Sequence, residues 1–260
     1  LMIRTISFLL LLVSLAACDT NKSSNNKNNQ ASDGIRRYEV DLFNIDTSHF
    51  EKGVEEIYPN YKVFLGSSLP DKGGMQQLRD FVTDPAIREI YDYTMKRFPN
   101  LDNIKSGLDA AFKIYEREFP GAVIPVVYTY ISGFDIRMPI KYADSTLIIG
   151  LDLYLGSDYE TYLELGHPVY ITNRLSPEYI ISDCFKEICW SQMPEITSNV
   201  LLDAMIEQGK LIYFAEVILS DEKPEILMKY TAEQLKWVNE NEKNLWSFII
   251  ENQLLYSTDA

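Results

Sequence analysis

Two stretches rich in β-branched and aromatic residues decide the fold: VIPVVYTYISG (123–133) and STLIIGLDLYLG (145–156). Both are bounded by glycines, and side chains of this kind favour the pleated surface of a sheet. We therefore predict two strands that pair with each other. Pro125 cannot donate a hydrogen bond to a neighbouring strand, so its strand either lies at a sheet edge or begins there.

Patterns typical of helices surround this strand pair. Pro residues at first helical positions and apolar residues at helical spacing predict six helices, at 75–81, 84–97, 101–119, 177–190, 197–219 and 231–255. Near the start, Tyr38, Val40 and Leu42 alternate with charged residues, which predicts one further strand. The chain is therefore expected to have an α+β fold, mainly helical, with a small mixed or antiparallel sheet.

The first residues have the features of a bacterial lipoprotein signal peptide. Arg4 provides the positive charge, and Ile6 to Leu15 form an apolar run that is too short to span a bilayer. Small residues then precede Cys18, in the pattern Leu-Ala-Ala-Cys that resembles a lipobox. We predict a signal peptide at 1–17 and lipidation of Cys18, the alternative being a soluble secreted protein whose cleavage site happens to precede a cysteine.

A polar segment follows the lipidated cysteine. Residues 19–34 contain five asparagines, three serines and no large apolar side chain, so 18–34 is expected to be a disordered linker. The linker would tether the protein, without spanning the bilayer, to the cell membrane or the outer membrane, where it is expected to face the periplasm. Residues 35–260 are expected to form a single domain with a net charge of about −15, because the whole chain carries −14 and the signal peptide +1. This acidity argues against a nucleic-acid partner.

Cysteines and histidines are too few to indicate a metal centre. Cys184 and Cys189 would point about 140° apart on a helix, which excludes a bridge within that helix and favours buried thiols. The two histidines, His49 and His167, lie far apart in loops, where an isolated histidine is usually a surface or capping residue. A role as a general base or a metal ligand is the alternative.

The helix at 177–190 is followed by a helix that contains Gln208, Gly209 and the aromatic pair Tyr213-Phe214. This arrangement resembles the two ligand helices of gluzincin-type zinc peptidases. However, Gln208 stands where the third zinc ligand would be, and the helix at 177–190 offers no histidine. Catalytic zinc requires three protein ligands and an open position, so we expect no metal, no cofactor and no zinc hydrolysis. Asp183 and Glu187 on the first helix fit either a carboxylate pair, for acid–base work or weak metal binding, or a solvated face.

A polar stripe is the best candidate for a functional surface. Asp203, Glu207 and Lys210 fall within about 60° of one another on a helix that is otherwise mostly apolar and is therefore expected to be surrounded. They would line a cleft or bond one another, and an ordinary solvated face is the alternative. Gln208 belongs to the same set. Glu242 lies in the apolar stripe of the last helix, where a carboxylate must be paired or neutralised.

The likeness to a known family rests on the lipobox and on four segments: VYTYISGFDIRMP, STLIIGLDLYLG, MIEQGKLIYF and YTAEQLKWVNENEKNLWSFIIENQLLYSTD. Together they resemble the GldB family of gliding motility lipoproteins of the Bacteroidota, and the resemblance covers most of residues 35–260. It implies an envelope lipoprotein that is needed for gliding, is linked with protein secretion and has no known enzymatic reaction. The family usually has Glu where this chain has Gln208. Its members also continue past Ala260, which predicts a C-terminally truncated copy.

Three functions follow as hypotheses. The first is a membrane-anchored, non-catalytic component of the gliding and secretion machinery that binds another envelope protein and has a degenerate gluzincin-like scaffold. The second is an envelope hydrolase that works without zinc through carboxylates such as Asp203, Glu207 and Glu242 on cell-wall or peptide substrates. The third is a substrate-binding lipoprotein with a pocket lined by some of the 17 tyrosines.

Overall fold

A computed structural model of the chain describes residues 34–166, 168–194 and 200–258. Four strands lie within these ranges: β1 (Arg36–Arg37), β2 (Val126–Tyr130), β3 (Ile140–Ala143) and β4 (Thr146–Gly150). The helices in the same ranges are α1 (Tyr38–Phe43), α2 (Phe50–Ile57), α3 (Lys62–Leu65), α4 (Lys72–Thr83), α5 (Pro85–Arg97), α6 (Asp102–Glu118), α7 (Glu160–Glu164), α8 (Val169–Thr172), α9 (Ile180–Gln192), α10 (Leu201–Ile218), α11 (Pro224–Met228) and α12 (Ala232–Glu251).

The four strands form one mixed sheet in the order β1-β2-β4-β3. β1, β2 and β4 are parallel, and Tyr128 lies opposite Ile148 in the central pair. β3 runs antiparallel to β4 at the edge. The predicted pairing of the two β-rich stretches is confirmed, and Pro125 directly precedes β2, so this strand begins there. The mainly helical chain with a small mixed sheet agrees with the α+β prediction.

The hairpin between β3 and β4 is an element that the sequence pattern did not indicate. Its two turn residues, Asp144 and Ser145, both have positive φ, at 47° and 60°. A two-residue turn with φ positive at both positions matches the right-handed twist of paired strands. The usual signal for such a turn is Asn-Gly or Asp-Gly, and its absence here explains why β3 was missed.

Each face of the sheet contributes to a different hydrophobic core, because side chains alternate along a strand. On one face, Val127, Leu147 and Ile149 join a core that includes α6 and α9. On the other face, Tyr128 joins a core built mainly from α1 to α5, and the neighbouring Ile148 packs against the same core. The sheet is therefore covered by helices on both sides.

The strand predicted around Tyr38, Val40 and Leu42 is wrong, because these residues form helix α1 and only Arg36–Arg37 pairs with β2. The buried residues of α1 include Tyr38 and Leu42, four positions apart on one helical face. A spacing of four satisfies both alternation and a helical period, so the short pattern could not decide between them. Glu39 is also buried, and it accepts hydrogen bonds from Arg37 and Thr129.

The longer predicted helices are confirmed within a few residues at their ends. At the start of α5, the Asp84 side chain accepts hydrogen bonds from the N–H groups of Ala86 and Ile87, with Pro85 at the first helical position. Five short helices, α2, α3, α7, α8 and α11, were not predicted. In the part of the chain that the structure describes, no helix combines the length and the apolar character needed to cross a membrane.

Candidate functional site

Three half-buried charged side chains, Lys186, Glu187 and Lys229, surround the buried Asp183 on α9. This helix packs against β3, α6 and α10. The Asp183 carboxylate accepts a 2.8 Å hydrogen bond from the hydroxyl of Tyr154, which is fully buried. The same oxygen lies 2.6 Å from the Nζ of Lys229, forming an ion pair whose side chains are 10% and 19% exposed. Two donors therefore satisfy Asp183.

Lys229 reaches Asp183 because of a left-handed backbone position. It follows α11 with φ at 56°, a conformation that ends helices and turns the chain back. The N–H of Tyr230 then donates to the carbonyl of Glu225, which closes the end of α11. The Nζ also lies 5.4 Å from the ring centre of Tyr179.

One helical turn along α9, Lys186 is held by a carbonyl group. Its Nζ donates a 2.6 Å hydrogen bond to the oxygen of Leu227, one of the carbonyls at the end of α11 that lack a helical partner. Burial lowers the pKa of Lys186 to about 8; Lys229 and Arg174 add to the decrease, and Asp183 opposes it. Across the described residues, no carboxylate lies within 4.0 Å of this ammonium group.

Glu187 lies beside the edge strand β3. Burial raises the pKa of its carboxyl group, and the nearby charge of Asp183 raises it further. The backbone N–H of Tyr142 on β3 stabilises the carboxylate and opposes this increase. Asp183 is buried and Glu187 is half-buried on one side of α9, so the two carboxylates do not lie on a fully solvated face.

These groups line a cavity of about 410 Å³, which we call the α9 cleft. Its lining residues are Arg137, Met138, Pro139, Ile140, Asp183, Lys186, Glu187, Trp190, Leu211 and Lys229. Met138 and Trp190 are about half exposed and form apolar parts of its mouth. Arg137 also lies at the mouth and pairs with Asp135 outside the protein core. The cleft therefore combines mixed charges with apolar walls.

The polar stripe predicted on α10 does not reach the α9 cleft. Its members are placed as follows: Asp203 and Glu207 are half-buried, and Gln208 and Lys210 are exposed. No hydrogen bond or ion pair joins the side chains of Asp203, Glu207 and Lys210 to one another in the described structure. Whether the stripe binds a partner stays a prediction.

The expectation that α10 is surrounded is wrong. Only Leu211, Ala215 and Ile218 are buried along its length, at positions that share one helical face. The remaining apolar residues of α10 are half-buried or exposed, so its polar residues incur no large cost of burial.

Glu242 is exposed on α12, and the expectation that it must be paired or neutralised is wrong as well. None of the residues of α12 is buried. A carboxylate in an apolar stripe needs a partner only where the stripe is removed from water, and this stripe is at most half-buried.

The histidine and cysteine predictions are partly tested. His49 is exposed and its Nδ1 lies 3.2 Å from Asp46 just before α2, as expected of a surface or capping residue. Cys184 is buried and Cys189 half-buried, both as free thiols, and burial raises the pKa of each. His167 and Cys18 lie outside the described residues. Within the described ranges, no three His, Cys, Asp or Glu side chains are arranged to hold a metal ion.

Lys186, Lys229 and Tyr154 were not singled out from the sequence. Lys186 directly precedes Glu187, so the carboxylate spacing on α9 offered a local signal for it. Lys229 lies 46 residues from Asp183, and Tyr154 lies 29 residues away. Only the folded chain brings these groups together.

Comparison with known proteins points to one family. A family model described as "Gliding motility protein GldB" matches residues 19–260, which is nearly the whole chain. No curated protein matches the chain. No solved structure matches it.

Proposed function

The chain belongs to the family of the gliding motility protein GldB, and from this premise we propose that it is a lipid-anchored, non-catalytic component of the gliding machinery and its associated protein secretion. In this role it binds another protein of the cell envelope. It needs no cofactor. It acts while anchored to the cell membrane or outer membrane, on the periplasmic side.

The lipid anchor is supported by the sequence around Cys18. An apolar run followed by Leu15, Ala16 and Ala17 fits a signal peptide that is cut before a lipidated cysteine. One acyl chain gives only marginal membrane binding, so stable retention requires several chains or a second contact.

A scaffold derived from zinc peptidases is supported by the order of elements around α9. This helix follows the mixed sheet and carries Asp183 and Glu187 at the i, i+4 spacing that zinc ligands take in a gluzincin helix. The next helix, α10, carries Gln208 and Gly209. Asp183 and Glu187 stand where a gluzincin helix has its two histidine ligands, and the amide of Gln208 stands where the next helix has the third ligand.

The ion pair between Lys229 and Asp183 is the observation that carries the non-catalytic proposal. The ammonium group lies 2.6 Å from the oxygen that a metal ion would need, and Tyr154 donates to the same oxygen. The protein thus supplies its own fixed cation at this position. A zinc ion would have to displace Lys229 and leave that amine without its partner, at a cost typical of broken buried pairs.

Metal content tests this part of the proposal. The full chain is dialysed against zinc, washed and measured by elemental analysis, with a Lys229→Ala variant in parallel. We expect no stoichiometric zinc in the wild-type protein. One retained equivalent would contradict the non-catalytic assignment, whereas retention by Lys229→Ala alone would support the role of Lys229 in excluding metal.

Capture of a partner from envelope extract tests the adaptor role. A triple variant, Asp203→Ala with Glu207→Ala and Lys210→Ala, should lose a protein that wild type captures. The matched control carries Glu51→Ala, Lys52→Ala and Glu55→Ala on α2, which removes the same net charge from another exposed helical face. Equal capture by both triple variants would place the contact elsewhere on the protein.

The tether is tested by Cys18→Ala in cells. This variant should abolish gliding while the purified domain keeps the circular dichroism and unfolding midpoint of wild type, because the change removes only the site of acylation. Normal gliding of cells that carry Cys18→Ala at wild-type abundance would contradict the anchored role.

An envelope hydrolase is the second candidate, and Glu187 is the observation in its favour. A carboxyl group with a raised pKa beside a second carboxylate in a cleft resembles a general acid and its partner. This alternative predicts that Glu187→Gln abolishes cleavage of cell-wall or peptide substrates without unfolding the protein. Glu207→Gln tests the same idea on the α10 stripe, and the absence of any turnover by wild type would remove the candidate.

A further inference from the structure

Among the residues that the structure describes, no carboxylate lies within ion-pair distance of the Lys186 ammonium group. Its Nζ contacts the carbonyl of Leu227, and the buried carboxylate of Asp183 is already paired with Lys229. An ammonium group has three donors, so two remain for another acceptor. A desolvated charge is costly unless it is paired and hydrogen-bonded. The two remaining donors of Lys186 therefore mark one point in the α9 cleft that suits an anionic acceptor.

We propose that the α9 cleft binds a ligand with a free carboxylate, which accepts hydrogen bonds from Lys186 while an adjacent apolar group contacts Met138 and Trp190. This inference rests on the proposed function and specifies the chemical class of ligand that the α9 cleft binds. The carboxylate makes the ion pair that Lys186 lacks, and the half-exposed apolar side chains at the mouth lose contact with water.

The other charged groups of the cleft are compatible with an anion. Asp183 is neutralised by Lys229 and by the hydroxyl of Tyr154, so it repels the ligand weakly. Glu187 lies near the backbone N–H of Tyr142 and opposes the ligand more strongly if it is ionised. Arg137 at the mouth is 85% exposed and already paired with Asp135, so it attracts an approaching carboxylate only weakly.

The size of the cleft limits the ligand. A cavity of about 410 Å³ lies within the ~300–1,000 Å³ range of small-molecule sites. It accommodates either a small organic acid with an apolar side chain or the last two or three residues of a peptide. Both present the same chemistry, a carboxylate next to an apolar group, and the experiment separates them.

Binding should weaken as pH rises through about 8. Below this pH the amine of Lys186 is protonated, and above it the charge that receives the carboxylate is lost. The charged groups that face this amine are Asp183 and Glu187 on α9, Lys229 after α11 and Arg174 before α9. A bound carboxylate stabilises the ammonium form, so binding also raises the pKa of Lys186.

Calorimetric titration of the full chain with defined probes tests the inference. The probes are N-acetyl-leucine, the tripeptide N-acetyl-leucyl-leucyl-phenylalanine with a free carboxylate, and the same tripeptide as its C-terminal amide. We expect at least one free acid to bind at pH 6.5 and to bind about tenfold or more weakly at pH 9.5, with no binding of the amide. Binding of the tripeptide acid indicates a peptide C-terminus, and binding of N-acetyl-leucine alone indicates a small acid.

Three variants assign the interaction to its residues. Lys186→Met, which keeps the length of the side chain, should weaken binding of the free acid about tenfold or more, whereas Glu187→Gln should strengthen it by removing a like charge. Lys105→Met is the matched control, because Lys105 pairs with Asp109 on α6 and does not line the cleft. Unfolding midpoints establish that each variant is folded.

The inference would be overturned by binding of the amide with the same affinity as the acid, or by equal affinities of Lys186→Met and Lys105→Met for the acid. Failure of binding by every probe would overturn it as well. None of these results concerns zinc content or capture of an envelope partner, so the carboxylate site and the adaptor role can fail separately.

Discussion

Helices α9 and α12 have similar apolar patterns but opposite surroundings. α9 buries six of its thirteen residues, whereas none of the twenty residues of α12 is buried. α9 lies between the sheet and two helices, whereas the closest packing of α12 within the described ranges is on the short turn at Leu254–Tyr256 that follows it. This difference determines which helix can hold polar side chains in a partly buried site. Polar groups on α9 must find partners, and those on α12 are left to water.

The contrast extends to aromatic residues. Phe185 on α9 is fully buried between the rings of Phe112 and Tyr115. On α12, Trp237, Trp246 and Phe248 are 55%, 41% and 58% exposed. A helix gains most of its stability from the packing of one face. The two helices should therefore contribute very differently to the free energy of unfolding.

Truncation of one phenylalanine in each helix is the strongest test of this contrast. Phe185→Ala should lower the free energy of unfolding by about 3–5 kcal/mol, because it leaves a cavity in the core. Phe248→Ala should change it by less than about 0.5 kcal/mol, because its ring is already in water. Urea unfolding measures both. A large effect of Phe248→Ala would mean that the exposed face of α12 is covered in solution.

The second test replaces one lysine that pairs with a carboxylate of α9 and one that pairs with a carboxylate of α12. Lys229→Met leaves the carboxylate of Asp183 buried without its ion pair and should cost about 3–5 kcal/mol. Lys236→Met breaks the exposed pair with Glu240 on α12, at 3.8 Å, and should cost about 0.5 kcal/mol or less. Similar unfolding midpoints for the two variants would contradict the burial of the α9 pair.

The pH dependence of the free energy of unfolding should reveal the lowered pKa of Lys186 on α9. Its pKa is lowered from 10.5 to about 8 in the folded protein, so between these values the unfolded chain binds the additional proton. Stability of wild type therefore rises with pH from about 8 to 10.5 and loses this contribution as pH falls to 8. The amine is charged in both states below pH 8.

Lys186→Met removes this titration. The stability advantage of wild type over the variant should grow by about 2–3 kcal/mol between pH 8 and 10.5, and it should be constant from pH 6 to 7.5. Tyrosine titration affects both proteins alike and cancels in the difference. Parallel stability curves for the two proteins over the whole range would show that the folded-state amine is not perturbed.

The sequence was sufficient for the elements that have strong local signals. Asp84 and Pro85 mark the start of α5, and the β-rich stretches contain β2 and β4. Local signals failed at Tyr38 and Leu42, because a spacing of four fits both a strand and a helix. They also failed at Asp144 and Ser145, because this turn lacks the residues that usually mark it. In these places long-range packing decides the structure.

The candidate site was less predictable than the fold. The i, i+4 spacing of Asp183 and Glu187 pointed to a carboxylate pair, but it did not reveal the partner of either group. Lys229 reaches Asp183 only through the left-handed turn that ends α11. The apolar neighbours of the stripe on α10 predicted burial, but the stripe is half-buried or exposed, because burial depends on what packs against a helix rather than on its composition.

Loss of the cap of α12 should give the smallest effect, and it tests whether this helix opens independently of α9. The hydroxyl of Thr231 accepts a hydrogen bond from the N–H of Gln234, and the Gln234 side chain accepts one from the N–H of Thr231. Thr231→Ala removes half of this capping box, at a cost of about 1 kcal/mol to the helix. Because α12 buries no residue, little of this cost should reach the global unfolding equilibrium.

Hydrogen exchange can resolve the local effect. Amides in the first turns of α12 should exchange about fivefold faster in Thr231→Ala, and amides of α9 should exchange at the wild-type rate. Ser247→Ala is the control, since Ser247 is exposed within α12 and has no capping role. If exchange in α9 accelerates together with that in α12, the two helices unfold as one unit. The exposed face of α12 would then be energetically coupled to the core, despite the absence of buried residues along it.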